Sequence, residues 1–296
     1  MVLAAAGRAA AAAVEFRYKD EFGRTGRGRS ELERPSGIAV SEQGFIAVTD
    51  RKRNTVSIYD KDGYWERSLG KPKGEGPVEF DSPQGVAIDK TGRIWVADTG
   101  NDRVVAINRS GGIIRVIGGF GRRRGDLSKP AAVAIGRDGR IFVADYGNRR
   151  IQIFSENGVF LDKWEEAFTA DKGPIKKPVA IAYSDTGRGR LWIANEGSSV
   201  LRSVDMDGRN DLSVDLGKLV EGEIKVAGLL VESGMDRVMV LDQASSRVLV
   251  LGIGQALESR INLASDANPA AFAVDWSVNV YIADDRMRRV IIYERY

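Results

Sequence analysis

From residue 35 onward, apolar and polar positions alternate in short runs of four to seven residues, the period-2 signature of half-buried strands, and helical spacing is hard to find anywhere beyond residue 14. The alternation is organised into six copies of one segment, which open at Pro35, Pro83, Pro130, Pro178, Lys225 and Pro269 and recur every 44–48 residues. Each copy opens on a proline or its replacement, continues through small and apolar residues (GIAV, GVAI, AVAI, AIAY, GLLV, AFAV), turns at Gly, Asp or Asn, and re-enters an apolar run ending in Asp or Asn. A polar loop then leads to a third apolar run such as Thr55–Tyr59 or Arg150–Phe154, and a fourth follows, as at residues 64–70 and 159–164.

Four short strands per repeat, at this period, predict an all-β fold, a six-bladed β-propeller of four-stranded blades. Small residues in the first run place it innermost, where six strands crowd one axis. The Ile-, Val-, Trp- and Phe-rich second and third runs are expected to fill the space between blades. The sixth repeat stops at Tyr296 after its third run, and residues 15–23 read like the missing fourth, with Phe22-Gly23 standing where Leu69-Gly70 and Ile117-Gly118 stand. The N-terminal strand is therefore expected to complete the last blade, which removes two unpaired sheet edges at once. The propeller domain is assigned to residues 14–296. Residues 1–13 form an Ala-rich N-terminal tail or signal remnant, in which Arg8 interrupts the apolar run. If they are an export remnant the protein is periplasmic or secreted; otherwise it is cytoplasmic. No stretch approaches the ~18 apolar residues of a membrane span.

The 296 residues contain no cysteine and no histidine. The first absence excludes disulfides and thiolate chemistry; the second removes the commonest general base and metal ligand. Net charge is +3, but residues 1–150 carry +8 and residues 151–296 carry −5. In a propeller the connections from fourth to first strand share one face with those from second to third. Those connections in the first half contribute Arg24, Arg27, Arg29, Arg34, Arg51, Lys52, Arg53, Lys71, Lys73, Arg122, Arg123, Arg124 and Lys129 to one side of blades 1–3. Such a field attracts carboxylate or phosphate groups through bidentate Arg contacts and counterion release. The acidic residues Asp50, Asp98, Asp145, Asp242 and Asp284 recur at one position of the repeat and are expected to cap the loop that follows. Arg103, Arg150, Arg247 and Arg289 recur likewise and are expected to pack blade against blade.

The Pro-x-Gly-[Val/Ile]-Ala-[Val/Ile] opening, the [Ile/Val]-x-Val-[Ala/Thr]-Asp second run and the Asn- and Arg-bearing loop before the third run resemble the NHL-repeat family. Repeats two and three match nearly throughout; Asn195 and Lys225 depart from the pattern in repeats four and five. The resemblance implies the six-bladed propeller and leaves function open. The family includes copper- and zinc-dependent lyases, and similar propellers include antibiotic lyases and calcium-dependent lactonases. The lyases rely on histidines, which are lacking here. At the axial mouth, where lactonases hold Ca²⁺ with six to eight oxygens, Ser36, Gln84, Ala131, Val179, Val226 and Ala270 supply no carboxylate. No catalytic residue, metal site or cofactor is therefore assigned. NHL domains of ubiquitin-ligase-like proteins bind single-stranded RNA on the basic face, which makes RNA an alternative partner. RNA readers interleave aromatics, and the nearest are Phe120 and Tyr146, both beside strand ends. The expectation is a non-enzymatic scaffold whose basic face on blades 1–3 docks an anionic partner, a protein foremost or a polymer such as RNA. A metal-dependent lyase or lactonase is the remaining alternative.

Overall fold

The computed structural model describes residues 15–23, 31–70, 78–165, 175–185, 187, 189–206, 212–232, 237–252 and 254–296. They form six four-stranded antiparallel sheets arranged as a ring. After the N-terminal strand β1 (Phe16–Phe22), blade 1 comprises β2 (Pro35–Val40), β3 (Ile46–Asp50), β4 (Thr55–Tyr59) and β5 (Trp65–Gly70). Blade 2 follows with β6 (Val86–Ile88), β7 (Ile94–Asp98), β8 (Arg103–Ile107) and β9 (Ile113–Gly118). Blade 3 contains β10 (Pro130–Ile135), β11 (Ile141–Asp145), β12 (Arg150–Phe154) and β13 (Phe160–Trp164), and blade 4 contains β14 (Pro178–Ser184), β15 (Arg190–Asn195), β16 (Val200–Asp205) and β17 (Leu212–Asp215). Blade 5 consists of β18 (Val226–Glu232), β19 (Arg237–Asp242), β20 (Arg247–Leu251) and β21 (Leu257–Asn262). Blade 6 takes β22 (Pro269–Val274), β23 (Val280–Asp284) and β24 (Arg289–Arg295) from the C-terminus and β1 from the N-terminus.

The closing strand pairs antiparallel to β24, from Phe16 opposite Arg295 to Phe22 opposite Val290. Phe22 also stacks against Tyr59 of blade 1, with ring centroids 4.6 Å apart, so the strand joins the first and last blades. Gly23, Gly70 and Gly118 all take positive φ, at 80°, 87° and 87°. In each case a Cβ would come within 3 Å of the next apolar side chain, Leu32, Phe80 or Leu127, so only glycine lets the outgoing chain fold back at this point.

The innermost strands neighbour one another around the axis. There a Cβ on Gly37 would lie 2.3 Å from the Gln84 carbonyl oxygen, and one on Gly85 would lie 2.6 Å from Ala132 Cα, which is the physical reason for small residues in the first run. The core is divided rather than central. Six apolar clusters are found among the described residues, one between each pair of neighbouring blades; Phe45, Ile58, Phe80 and Ile94, for example, join blades 1 and 2. The fourth-to-first connections contribute to each cluster, with Leu32, Phe80, Leu127, Ile175, Val220 and Leu263 buried between blades. No helix among the described residues is long and apolar enough to cross a membrane.

Candidate functional site

The face formed by the fourth-to-first and second-to-third connections is organised by the recurring acidic position. Asp50, Asp98, Asp145, Asp242 and Asp284 are fully buried, and their carboxylates accept from backbone amides. The repeated donor lies in the connection before the blade: the amides of Asp81, Ser128, Lys225 and Asn268 donate to Asp98, Asp145, Asp242 and Asp284 at 2.7, 2.8, 3.1 and 3.2 Å. Asn195 does the same work for Lys176, with its Oδ1 accepting at 3.1 Å. Capping of the following loop, as expected from sequence, is seen at Asp50, which also accepts from Lys52 and Arg53, and at Asp284, which also accepts from Arg286 and Met287.

The repeated arginines act within their own blade as well as towards the one before it. Arg103, Arg150 and Arg247 place Nε 2.7, 2.7 and 2.9 Å from the carboxylates of Asp98, Asp145 and Asp242. Their outer nitrogens donate to carbonyls of the incoming connection, Glu79 for Arg103 and Glu221 for Arg247. Arg289 pairs instead with Glu21 of the closing strand.

Arg24, Arg27, Arg29, Lys71 and Lys73 lie outside the described residues. The remaining cations divide into two groups. Those on blade 1 are paired: Arg34 and Arg51 both reach Asp285 of blade 6, at 3.3 and 2.7 Å, while Lys52 and Arg53 both reach Glu33, at 2.7 and 3.3 Å. The hydrogen bond from Lys52 holds the Glu33 carboxyl below its ordinary range. Four cations share two carboxylates there, which leaves an excess of positive charge that is partly satisfied.

Blade 3 differs. Arg122, Arg123, Arg124 and Lys129 are exposed, and among the described residues their side chains make no ion pair. The loop that carries them is held from below. Arg150, whose side chain is 2% exposed, donates to the carbonyls of Arg122, Arg123 and Asp126 at 3.0, 2.9 and 2.8 Å. Asn148 Nδ2 donates to the Gly121 carbonyl at 2.8 Å, and the Gly125 amide donates to Gln152 at 3.0 Å. A backbone fixed at five points thus presents three consecutive guanidinium groups to solvent. Beside it, Arg122, Arg149 and Asn148 line an open pocket of about 460 Å³ with Glu165, whose carboxyl is held low by Lys163 and Arg150.

Several residues of this face were not assigned to it from sequence, and Phe120 was noted there only as an aromatic beside a strand end. Phe120, between two glycines at the start of the same loop, is 82% exposed. Flanking glycines were the available signal: Phe120 makes only an isolated bridge to Leu127 and belongs to no blade that would bury it. Arg149 stands exposed beside the loop, and Arg286 and Arg288 of blade 6 extend the basic surface next to blade 1. Tyr146, by contrast, is engaged: its hydroxyl meets Glu196 at 3.0 Å and Lys177 lies 5.2 Å over its ring.

The axial channel behind this face, about 380 Å³, is lined by the small and apolar residues of the inner strands, with Ser36, Arg51, Gln84, Lys225 and Gln243 as its polar groups. Among the described residues no three acidic side chains converge where a metal ion could be held.

The sequence pattern of the NHL repeat matches residues 32–59, 80–113 and 127–154, which fall in blades 1, 2 and 3. Protein lin-41 of Caenorhabditis elegans is 52% identical over 42 residues, an alignment that takes in 14% of this chain and 4% of that protein. Among solved structures, a streptogramin B lyase superposes with a TM-score of 0.68 at 14% identity, covering 98% of this chain and 100% of that one. The virginiamycin B lyase from Staphylococcus aureus gives 0.65 at 15% identity over 95% of this chain and 99% of its own. Hydrazine synthase from Kuenenia stuttgartiensis gives 0.62 at 12% identity over 90% and 97%. At such identities the likeness is one of fold. With three repeats matched in sequence and all six blades present in the ring, the chain is an NHL-repeat β-propeller.

Proposed function

We propose that this propeller is a non-enzymatic binding module that docks an acidic protein segment on its connection face, with the loop of residues 119–129 at the centre. The observation that carries the reading is the contrast between backbone and side chains in that loop. Arg150, Asn148 and Gln152 fix its main chain, while Arg122, Arg123, Arg124 and Lys129 have no acidic partner among the described residues. A fixed loop loses little conformational freedom on binding, and free guanidinium groups form bidentate pairs with carboxylates without first breaking others. The paired cations of blade 1 extend the positive field and steer an acidic partner.

One observation favours a second partner. Phe120 is exposed next to the three arginines, and an aromatic face beside guanidinium groups is the combination that stacks and neutralises single-stranded RNA. The lyase-like solved structures add no catalytic residue to this reading, because the chain has no histidine to carry over.

Fluorescence anisotropy with a Glu- and Asp-rich peptide and an oligouridine of similar length separates the readings. The peptide is expected to bind wild type and to be lost on combined Arg122→Glu, Arg123→Glu and Arg124→Glu substitution. Should RNA bind instead, engagement of all four cations gives a log–log salt slope of about −3, or roughly fifty-fold between 50 and 200 mM salt, and Phe120→Ala weakens it further. Failure of wild type to bind either probe at low salt refutes the docking face.

A further inference from the structure

The opposite face of the ring carries a second site, independent of the basic loop. There the turns joining first to second strands surround the mouth of the axis, and the last residues of the inner strands, among them Ile88, Ile135 and Val274, form the floor. Two adjoining cavities of about 770 and 260 Å³ share Glu42, Ile88 and Trp276 and together take residues from all six blades. The larger lies within the size range of small-molecule sites.

Trp276 is the unusual feature. The turns of blades 1–3 and 6 close through the same backbone hydrogen bond, from Gly44, Gly92, Gly139 and Val278 to the carbonyls of Ser41, Asp89, Gly136 and Asp275. The position after each of those carbonyls is Glu42, Lys90 and Arg137 in blades 1–3, and each lines the mouth; in blade 6 it is Trp276. A tryptophan left 71% exposed at an axial cavity has an indole face free for stacking. The same turn also departs from the others in its backbone. Val278 occupies the position that glycine holds in blades 1–3, at φ 63°, a conformation that β-branched residues rarely adopt and that recurs where a site is held in one geometry.

The polar wall opposite is of mixed sign. Arg93 pairs with Asp89 at 2.6 Å and reaches Glu156 at 3.5 Å, Arg137 faces Asp185 at 3.7 Å, Asp138 pairs with Arg140 at 2.6 Å and Glu232 of the smaller cavity with Arg237 at 3.7 Å, while Glu42, Asp275 and Lys90 complete the charged lining. Carboxylates outnumber bases in this lining, but most of them are already paired with an arginine, which lowers what a simple ion gains there. A neutral molecule that both donates and accepts is complementary to it, and its apolar C–H face is complementary to the indole. We infer that the axial vestibule on this face, with Trp276 as stacking platform and the paired charges of blades 2–4 as hydrogen-bonding wall, binds a neutral carbohydrate chain.

Of the five tryptophans, Trp276 alone is highly exposed, so acrylamide quenching of intrinsic fluorescence reports on it directly. Maltotetraose, cellotetraose and chitotetraose are titrated to millimolar concentration. At least one is expected to lower the quenching of the exposed component about twofold, as burial of an indole face under a ligand requires. Trp276→Ala, at an exposed position where folding is undisturbed, removes the effect, and the triple glutamate variant of the basic loop retains it. No protection by any of the three, protection that persists in Trp276→Ala, or equal protection by tetra-arginine overturns the inference.

Discussion

Replacing Arg150 by Met tests whether the basic loop is held by its buried arginine or merely lies over it. The guanidinium pairs with buried Asp145 at 2.7 Å and with half-exposed Glu165 at 3.5 Å and donates to three carbonyls of the loop above, while the side chain itself is 2% exposed. Methionine keeps the length and apolar stem but removes all five contacts. Removing one partner of a buried pair costs about 3–5 kcal/mol. Here Asp145 keeps donors from Ser128, Asn148 and Gln152, which places the loss near the lower limit, about 3 kcal/mol. Arg103 supplies the internal control. Its pair with Asp98 has the same 2.7 Å geometry, but its side chain is 29% exposed, so water replaces part of what Met removes and the expected loss is about 1.5 kcal/mol. Urea unfolding followed by tryptophan fluorescence measures both, at unchanged denaturant slope. Hydrogen exchange adds the local readout: in Arg150→Met the amide of Leu127, which donates to the Gly119 carbonyl at 2.8 Å, loses protection ahead of the blade strands. Equal midpoints for the two variants, or a loop amide that stays protected, would refute the argument that burial of Arg150 fixes the loop.

Two further perturbations follow from local geometry. Val278→Gly is expected to stabilise by about 0.5–1 kcal/mol, because relief of the left-handed strain exceeds the entropy that glycine gains in the unfolded chain; an unchanged or lowered urea midpoint contradicts this. Asp89 accepts from Thr91, Arg93 and the Trp95 indole; burial works to raise its carboxyl, and these donors overcome it and hold the group below the ordinary range. A lowered carboxylate contributes stability that is complete above the unfolded value near pH 4 and is lost as pH falls through the folded one. Asp89→Asn should therefore cost about 2 kcal/mol at pH 7, with the gap to wild type closing on acidification below about pH 4; a gap independent of pH in paired chemical melts rejects the assignment.

The ring, its closing strand and its glycine fold-back points were legible because each depends on residues that repeat. Pro marks five of the six inner strands and small residues mark all of them, and Phe22-Gly23 matches the ends of the fourth strands in blades 1 and 2 because each of the three glycines faces a returning apolar side chain, Leu32, Phe80 or Leu127. What could not be read were contacts made only once the ring has closed. Arg51 and Asp285 are 234 positions apart and meet because blade 6 lies beside blade 1, so a run of blade-1 cations that looks free in sequence is partly neutralised. The exposure of Phe120, noted in sequence only as an aromatic beside a strand end, and that of Trp276, which was missed, escaped for a related reason. Their exposure depends on which connection they occupy, and a single aromatic outside the repeat pattern carries no periodicity.

Blade 5 carries the same frame and separates what holds the blade-3 loop from the charge that the loop displays. Arg247 pairs with buried Asp242 as Arg150 does with Asp145, and each reaches up to carbonyls of the connection above. The Lys225 amide meets Asp242 as the Ser128 amide meets Asp145. Yet the connection held this way in blade 5 exposes Glu221 and Glu223, and the one in blade 3 exposes Arg122, Arg123 and Arg124. The frame bonds to main-chain atoms and so accepts either sign. Folding therefore does not specify the charge of the connection. The three guanidinium groups of blade 3 make no ion pair among the described residues, although Glu165 lies across the pocket from Arg122 and Asp126 accepts from the Arg123 amide at 3.1 Å, so their charge is the part of this loop that the frame does not account for.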